Sequence, residues 1–180
     1  MTTPPMLVSH RLILRAVARA DIVARQRHGW HRDIERNYGH AVETRPMTDD
    51  EARAWYEGVV ARRSATYWVI EAEGELAGVS FLHSLSHADR RARFAIGMFA
   101  PEFLGRGLGA EATRLVLGHA FDALALHRVD LRVLAFNTAA IASYRSCGFV
   151  EEGREREGCW LDGGWHDDLV MGALEDEFRQ

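Results

Sequence analysis

The chain has 180 residues, 47% hydrophobic and 27% charged, the length and balance of one globular domain spanning 1–180 with a substantial core. Its net charge of −4 gives no general basic footprint for nucleic acid. No apolar run is long enough to cross a bilayer, and the N-terminus lacks the basic-then-apolar form of a secretory signal.

The elements follow in chain order. "LVSHRLILRAV" alternates apolar and polar residues and predicts one opening strand. Ala18–Asp33 is expected to be helical. Thr48–Glu51, "TDDE", is a capping box, and Ala52, Trp55, Tyr56, Val59 and Val60 recur behind it at helical spacing. Tyr67–Ala72, the pair Glu73–Gly74 and Glu75–Leu85 predict a strand, a tight turn and a second strand. Arg93–Phe99 is nearly all apolar, as in a strand buried on both faces. A helix opens after three alternate glycines, Gly105, Gly107 and Gly109, and runs to about Leu124. Arg128–Phe136 alternates as a half-buried strand, and Asn137 precedes a short helix ending near Gly148. Residues 149–173 form two strands around "LDGGW". A mixed α/β domain with one central sheet is expected, without repeats.

The glycines carry the first functional signal. A helix N-terminus presents unpaired N–H groups and partial positive charge. Glycines let that backbone approach a ligand closely, and together these features make a phosphate cradle. Arg106 adds a full positive charge. The spacing is neither that of a P-loop nor that of a dinucleotide fingerprint. On the glycines alone, a loop that merely starts a helix remains an equal reading.

"MFAPEFLGRGLGAEA" followed by "FNTAAIASYRSCGFVEEG" resembles the GCN5-related N-acetyltransferase (GNAT) family. The family's loop has the form Q/R-x-x-G-x-G/A. Leu104 stands at its polar position, followed by Gly105, Arg106, Gly107, Leu108 and Gly109. The second block is similar to N-x-x-A-I-x-x-Y-x-x-x-G-F and is matched by Asn137, Ala140, Ile141, Tyr144, Gly148 and Phe149. The resemblance runs from Arg11 to Leu174 and is strongest to ribosomal-protein N-terminal and polyamine acetyltransferases. It implies about seven mostly antiparallel strands, about four helices, and a fourth strand splayed from the fifth. It also implies acetyl-CoA as co-substrate, with its pantetheine arm along Met98, Phe99 and Ala100 and beside Asn137. Asn137 also reads as a helix cap.

Acetyl transfer needs a neutral amine and an acid for the departing thiolate. The resemblance gives the acid role to Tyr144, whose residue type stays protonated at pH 7. The base is open among His83, Glu71, Asp33, Glu35 and water, with His83 placed first for its position near the end of a strand and its imidazole chemistry. Cys147 is read as packing. The polyamine enzymes carry carboxylates where Phe81, Ser84 and Arg93 stand here, so spermidine is expected to be a poor acceptor. The expected activity is N-acetylation of a primary amine on a small molecule or a protein N-terminus. Two alternatives remain: an aminoglycoside acetyltransferase using Asp33, Glu35, Asp162, Asp167 and Asp168, and a catalytically silent acyl-CoA-binding module. Cys147 and Cys159 form no paired motif, which fits a reducing cytoplasm. His28 and His31 join no ligand set, so no metal is expected. The tryptophans Trp160 and Trp165 suggest a homodimer, and no nucleic-acid or membrane partner is expected.

Overall fold

The computed structural model describes residues 3–62 and 64–179. Eight strands form one sheet in the order β1-β2-β3-β4-β5-β6-β8-β7. They are β1 (Leu7–Val8), β2 (Leu12–Arg15), β3 (Thr66–Ala72), β4 (Glu75–Ser86), β5 (Arg91–Met98), β6 (Arg128–Leu134), β7 (Val150–Leu161) and β8 (Gly164–Leu174). All neighbours pair antiparallel except β5 and β6, which run parallel. That parallel pairing covers only Arg91–Arg93 against Arg128–Asp130. Beyond it the two strands part, and this is the expected splay, one number later in the sheet because an extra strand precedes it.

The extra strand comes from the N-terminus. The opening alternation folds into a hairpin, with Leu7 opposite Leu14. Ser9 N–H donates to the Leu12 carbonyl at 2.9 Å, and the Ser9 hydroxyl accepts from Leu12 N–H at 3.1 Å. Alternation is the same in a straight strand and a folded one, so the sequence pattern does not register the reversal.

Helices α1 (Asp21–His28) and α2 (Arg32–Arg36) replace the single early helix. Gly29, at φ 65°, ends α1. Helix α3 (Asp49–Ala61) starts on the expected box: Glu51 N–H donates to the Thr48 hydroxyl while Thr48 N–H donates to the Glu51 carboxylate. Helix α4 (Leu108–Gly118) continues as a wider π turn over His119–Ala123, α5 covers Thr138–Ser146, and α6 adds Glu175–Phe178 at the end of β8. Six α-helices thus stand where about four were expected.

Alternate residues of β3 sort the two faces. Trp68 and Ile70 join the main core with Leu108, Ala112 and Val116 of α4 and Ile141 of α5. Tyr67 and Val69 face a smaller cluster with Ala24 of α1 and Trp55 of α3. Glu73 and Gly74, at φ 55° and 81°, form the β3–β4 turn, the two-residue form that suits the strand twist. Asp162 and Gly163, at φ 52° and 79°, do the same for β7–β8.

Candidate active site

The splay opens a cleft of about 900 Å³ between β5, β6, α4, α5 and the β7–β8 hairpin. At one end lies the N-terminus of α4. Pro101–Phe103 makes a single 3₁₀ turn. Gly105 and Gly107 then adopt φ of 70° and 76°, a region that a side chain with a Cβ enters only at a cost. Gly109 lies within the helix, and a Cβ added there would meet no atom within 4 Å. The space over Gly109 is therefore open for a ligand rather than filled by protein. The first N–H groups of α4 have no intrahelical acceptor, and Leu108, Gly109 and Ala110, which carry them, line the cleft.

The loop is braced from outside. Arg11 donates to the Arg106 carbonyl at 2.9 Å and to the Glu111 carboxylate at 2.8 Å. Arg106 itself pairs with Glu73 and does not line the cleft, whereas Leu104, Gly105, Gly107, Leu108 and Gly109 do.

On β5 the cleft is lined by Phe94–Met98. Of the three residues expected at the pantetheine edge, Met98 lines the cleft and the other two do not. Phe99 N–H donates to the Ala77 carbonyl at 2.9 Å, and its ring packs against Trp55 on the opposite face. Ala100 is 1% exposed. The available edge is therefore set earlier along the strand than expected. The sequence run is apolar on both faces, yet Ala95, Ile96 and Gly97 are only half-buried, because the cleft uncovers one of them.

Asn137 caps α5, its side-chain oxygen accepting from Ala140 N–H at 3.1 Å. It also lines the cleft. The oxygen serves the helix, and the amide N–H groups have no acceptor among the described residues.

Tyr144 lines the same cleft. Its ring meets Phe94 at 6.3 Å and Phe149 at 5.8 Å, both edge-on. Its hydroxyl has no hydrogen-bond partner among the described residues. Burial raises the phenol pKa, with the Tyr38 and Cys147 side chains adding to the effect. The group therefore stays protonated throughout the neutral range.

His83 is outside this cleft. It pairs across the sheet with Arg93, rests on the Phe81 ring at 5.5 Å and contacts the Ser84 hydroxyl at 3.0 Å. Burial and the Arg93 charge lower its pKa. Arg93 does not line the cleft either. Its Nε donates to the buried Asp130 carboxylate at 2.9 Å. That ion pair answers the charge on which the expected exclusion of spermidine rested.

The far end of the cleft joins residues that no single motif contains. Tyr38 and His40 come from the loop after α2, Cys159 from β7, Asp168 from β8 and Arg132 from β6. The Tyr38 hydroxyl accepts from Met98 N–H at 2.9 Å, and burial pushes its pKa up to about 12. The Asp168 carboxylate makes no hydrogen bond or ion pair among the described residues, and burial together with the neighbouring Glu155 charge raises its pKa. The other two hairpin aspartates are engaged: Asp162 accepts from Arg36 at 2.7 Å, and Asp167 from Arg154 at 3.0 Å. The one local hint of the loop's importance is Gly39, at φ 79°, lying between Tyr38 and His40.

A glycine-cradled helix N-terminus, an open strand edge and a protonated phenol thus share one cleft. The family described as Acetyltransferase (GNAT) domain matches residues 11–150. This chain belongs to the GNAT acetyltransferases. Over 123 residues it is 31% identical to the spermidine N(1)-acetyltransferase of Escherichia coli K12, covering 68% of this chain and 66% of that protein. It is 33% identical over 107 residues to YdaF of Bacillus subtilis, described as a candidate ribosomal N-acetyltransferase, covering 59% of this chain and 58% of that one. The aligned part thus falls short of the full length of both relatives. Over nearly the whole fold it resembles the Vibrio cholerae spermidine N-acetyltransferase solved with CoA and spermine. There the TM-score is 0.78 and the identity 28%, covering 96% of this chain and all of that one. Acetyl-CoA is the co-substrate of GNAT acetyltransferases, and the residues here fit it. The open space over Gly109 and the free donors of α4 suit its pyrophosphate, and the β5 edge and Asn137 suit its amides. Among the described residues no group of His, Cys, Asp or Glu is placed to hold a metal ion, and no helix is long and apolar enough to cross a membrane.

Proposed function

We propose that this GNAT acetyltransferase passes the acetyl group of acetyl-CoA directly to a primary amine of a small cationic molecule, with Tyr144 as the acid. The neutral amine nitrogen attacks the thioester carbonyl, a C–N bond forms, the C–S bond breaks and the nitrogen gives up its extra proton to solvent. The departing thiolate takes the Tyr144 hydroxyl proton, which solvent later replaces. The observation that carries this reading is the Tyr144 hydroxyl: it has no hydrogen-bond partner among the described residues, holds its proton at neutral pH, and belongs to a residue that lines the same cleft as the glycine cradle.

The acceptor end supports a cationic amine. Asp168 is an acid there without a counter-charge in contact among the described residues, and a carboxylate so placed attracts an ammonium group. The spermidine relatives point to the same class of acceptor, and a protein N-terminus is the other candidate. Thiol release from acetyl-CoA is to be compared for spermidine, an aminoglycoside and an alanine-led peptide. Spermidine should be the best of the three, and Asp168→Asn should raise its KM about tenfold or more, the scale of one charge-assisted contact. A peptide preferred over spermidine, with KM unchanged in Asp168→Asn, would replace this acceptor.

The assembly is proposed to be a homodimer in a reducing cytoplasm. Trp160 and Trp165 are 57% and 58% exposed and meet edge-on at 5.1 Å on the hairpin, an apolar patch of the kind that marks contact surfaces. Both cysteines are free, as a reducing compartment would keep them.

A further inference from the structure

The cleft holds a histidine whose surroundings go beyond packing. His40 Nδ1 lies 2.9 Å from the Glu35 carboxylate, and His40 N–H donates to the Glu35 carbonyl at 2.9 Å. The Glu35 side chain is 11% exposed, that of His40 62%. A largely buried carboxylate thus grips one ring nitrogen of an imidazole whose body faces the cleft. Arg25 is buried nearby in the chain, with its guanidinium 4.4 Å over the Phe99 ring. Burial lowers the pKa of Arg25 to about 10, and Glu35 is the leading charge acting against that shift. A carboxylate and an imidazole thus stand in sequence from the interior to the cleft.

The loop that carries His40 is held on both sides. Arg36 of α2 donates to Asp162 at the hairpin tip at 2.7 Å and lies 4.2 Å over the Phe136 ring. A Cβ on Gly39 would sit 3.1 Å from the Cys159 sulfur, so the loop packs directly on the hairpin. The groups sharing the cleft with His40 are the Tyr38 and Tyr144 hydroxyls, Arg132 of β6, Cys159 of β7 and Asp168 of β8. Among the residue types at this end, histidine is the one suited to exchange a proton near neutral pH.

We propose that His40, oriented by Glu35, accepts the proton that the acceptor amine must lose before attack. This rests on the acetyl-transfer reading above. Nδ1–H donates to Glu35, which leaves the Nε2 lone pair as the acceptor. An ammonium N–H bond breaks as an Nε2–H bond forms, the neutral amine attacks, the nitrogen gives up its second proton to solvent as the C–S bond breaks, and the imidazolium returns its proton to solvent. The cleft then divides the chemistry: Tyr144 gives a proton to sulfur, and His40 takes one from nitrogen. Glu35 is a positioning residue in this scheme.

The test uses the full chain with acetyl-CoA and spermidine or an alanine-led peptide, following thiol release against pH. His40→Gln should lower kcat/KM by about 10²–10⁴-fold, the usual worth of general base catalysis, and abolish the acidic limb of the profile. Acetyl-CoA affinity by calorimetry should not change. Glu35→Gln should keep the histidine but lower kcat/KM and reduce the share of the Nδ1–H tautomer seen by nitrogen NMR, because the carboxylate that holds that proton is gone. A folded His40→Gln with wild-type kcat/KM and an unchanged acidic limb would overturn the assignment. Nitrogen NMR of the wild-type protein gives an answer that needs no variant: neutral His40 should carry its proton on Nδ1, and a proton on Nε2 would overturn it. A wild-type protein that releases no thiol with either amine, despite the expected tautomer, would instead overturn the acetyl-transfer reading and the His40 role built on it.

Discussion

Replacing Tyr144 by phenylalanine removes one oxygen and leaves the ring. The contacts with Phe94 and Phe149, at 6.3 and 5.8 Å, belong to the ring and survive. The hydroxyl makes no hydrogen bond among the described residues, so the change should cost less than about 1 kcal/mol, the net value of one such bond. Tyr144 is half-buried, and no buried partner is left unsatisfied. The catalytic effect is of another size. General acid catalysis is worth about 10²–10⁴-fold, or roughly 2.7–5.4 kcal/mol of barrier at about 1.36 kcal/mol per decade. A thiol with a pKa of about 8.5 still leaves without protonation, so turnover should fall without vanishing. Because burial raises the phenol pKa, the wild-type enzyme should show no alkaline loss of kcat from this group below about pH 10, its ordinary value. The assay is thiol release at saturating acetyl-CoA and amine, beside a melting curve and a calorimetric titration with acetyl-CoA. Wild-type kcat in the variant, where chemistry limits the rate, would move the acid role to another group or to water. A large fall in melting temperature with kcat preserved would make Tyr144 a structural residue.

Gly109→Val tests the cradle: with no atom within 4 Å of the added Cβ the fold should hold, while acetyl-CoA affinity drops at least about tenfold, the equivalent of 1.4 kcal/mol, and wild-type affinity in a folded variant would refute the cradle. Gly107→Val is the less clean probe, since φ of 76° strains any β-branched side chain. Burial lowers the pKa of His28, His83 and His119. The unfolded chain therefore binds protons more readily, and stability should fall as pH drops below the unfolded histidine value of about 6.5. Melting temperatures at pH 7.5 and 5.5 check this, and a higher value at the lower pH would contradict it. Trp160→Ala with Trp165→Ala should give monomers of 20.3 kDa by light scattering where the native protein gives dimers, and a native monomer at micromolar concentration would remove the proposed interface.

Much of the fold was legible because the deciding interactions are local. The Thr48–Glu51 box, the Glu73–Gly74 turn and the Asn137 cap are each settled within a few residues, and each appears where the sequence predicts it. The reversal at Ser9–Arg11 was not legible, since it is fixed by Glu111 from a distant helix, which accepts from the Ser9 hydroxyl at 2.6 Å. The early helix broke at Gly29 because that residue takes a conformation outside the helix. The site divides in the same way. The glycine cradle and the Asn137–Tyr144 block each lie within one segment, so their spacing could be read. Tyr38, His40 and Asp168 meet only after the hairpin folds against α2, through contacts such as Arg36 with Asp162 that span 126 positions. Helix α2 has five residues, too few to show a full helical period, and it gave no pattern to mark the loop behind it.

The central claim is that this cleft carries out acetyl transfer rather than only holding an acyl-CoA. The direct measurement follows acetyl-CoA with the wild-type protein, counting free thiol and acetylated amine together, with spermidine present and absent. The account predicts one thiol for each amide, appearing only when the amine is present. Calorimetric binding of acetyl-CoA with no amide formed from spermidine, the aminoglycoside or the peptide would contradict it and leave a binding module in its place.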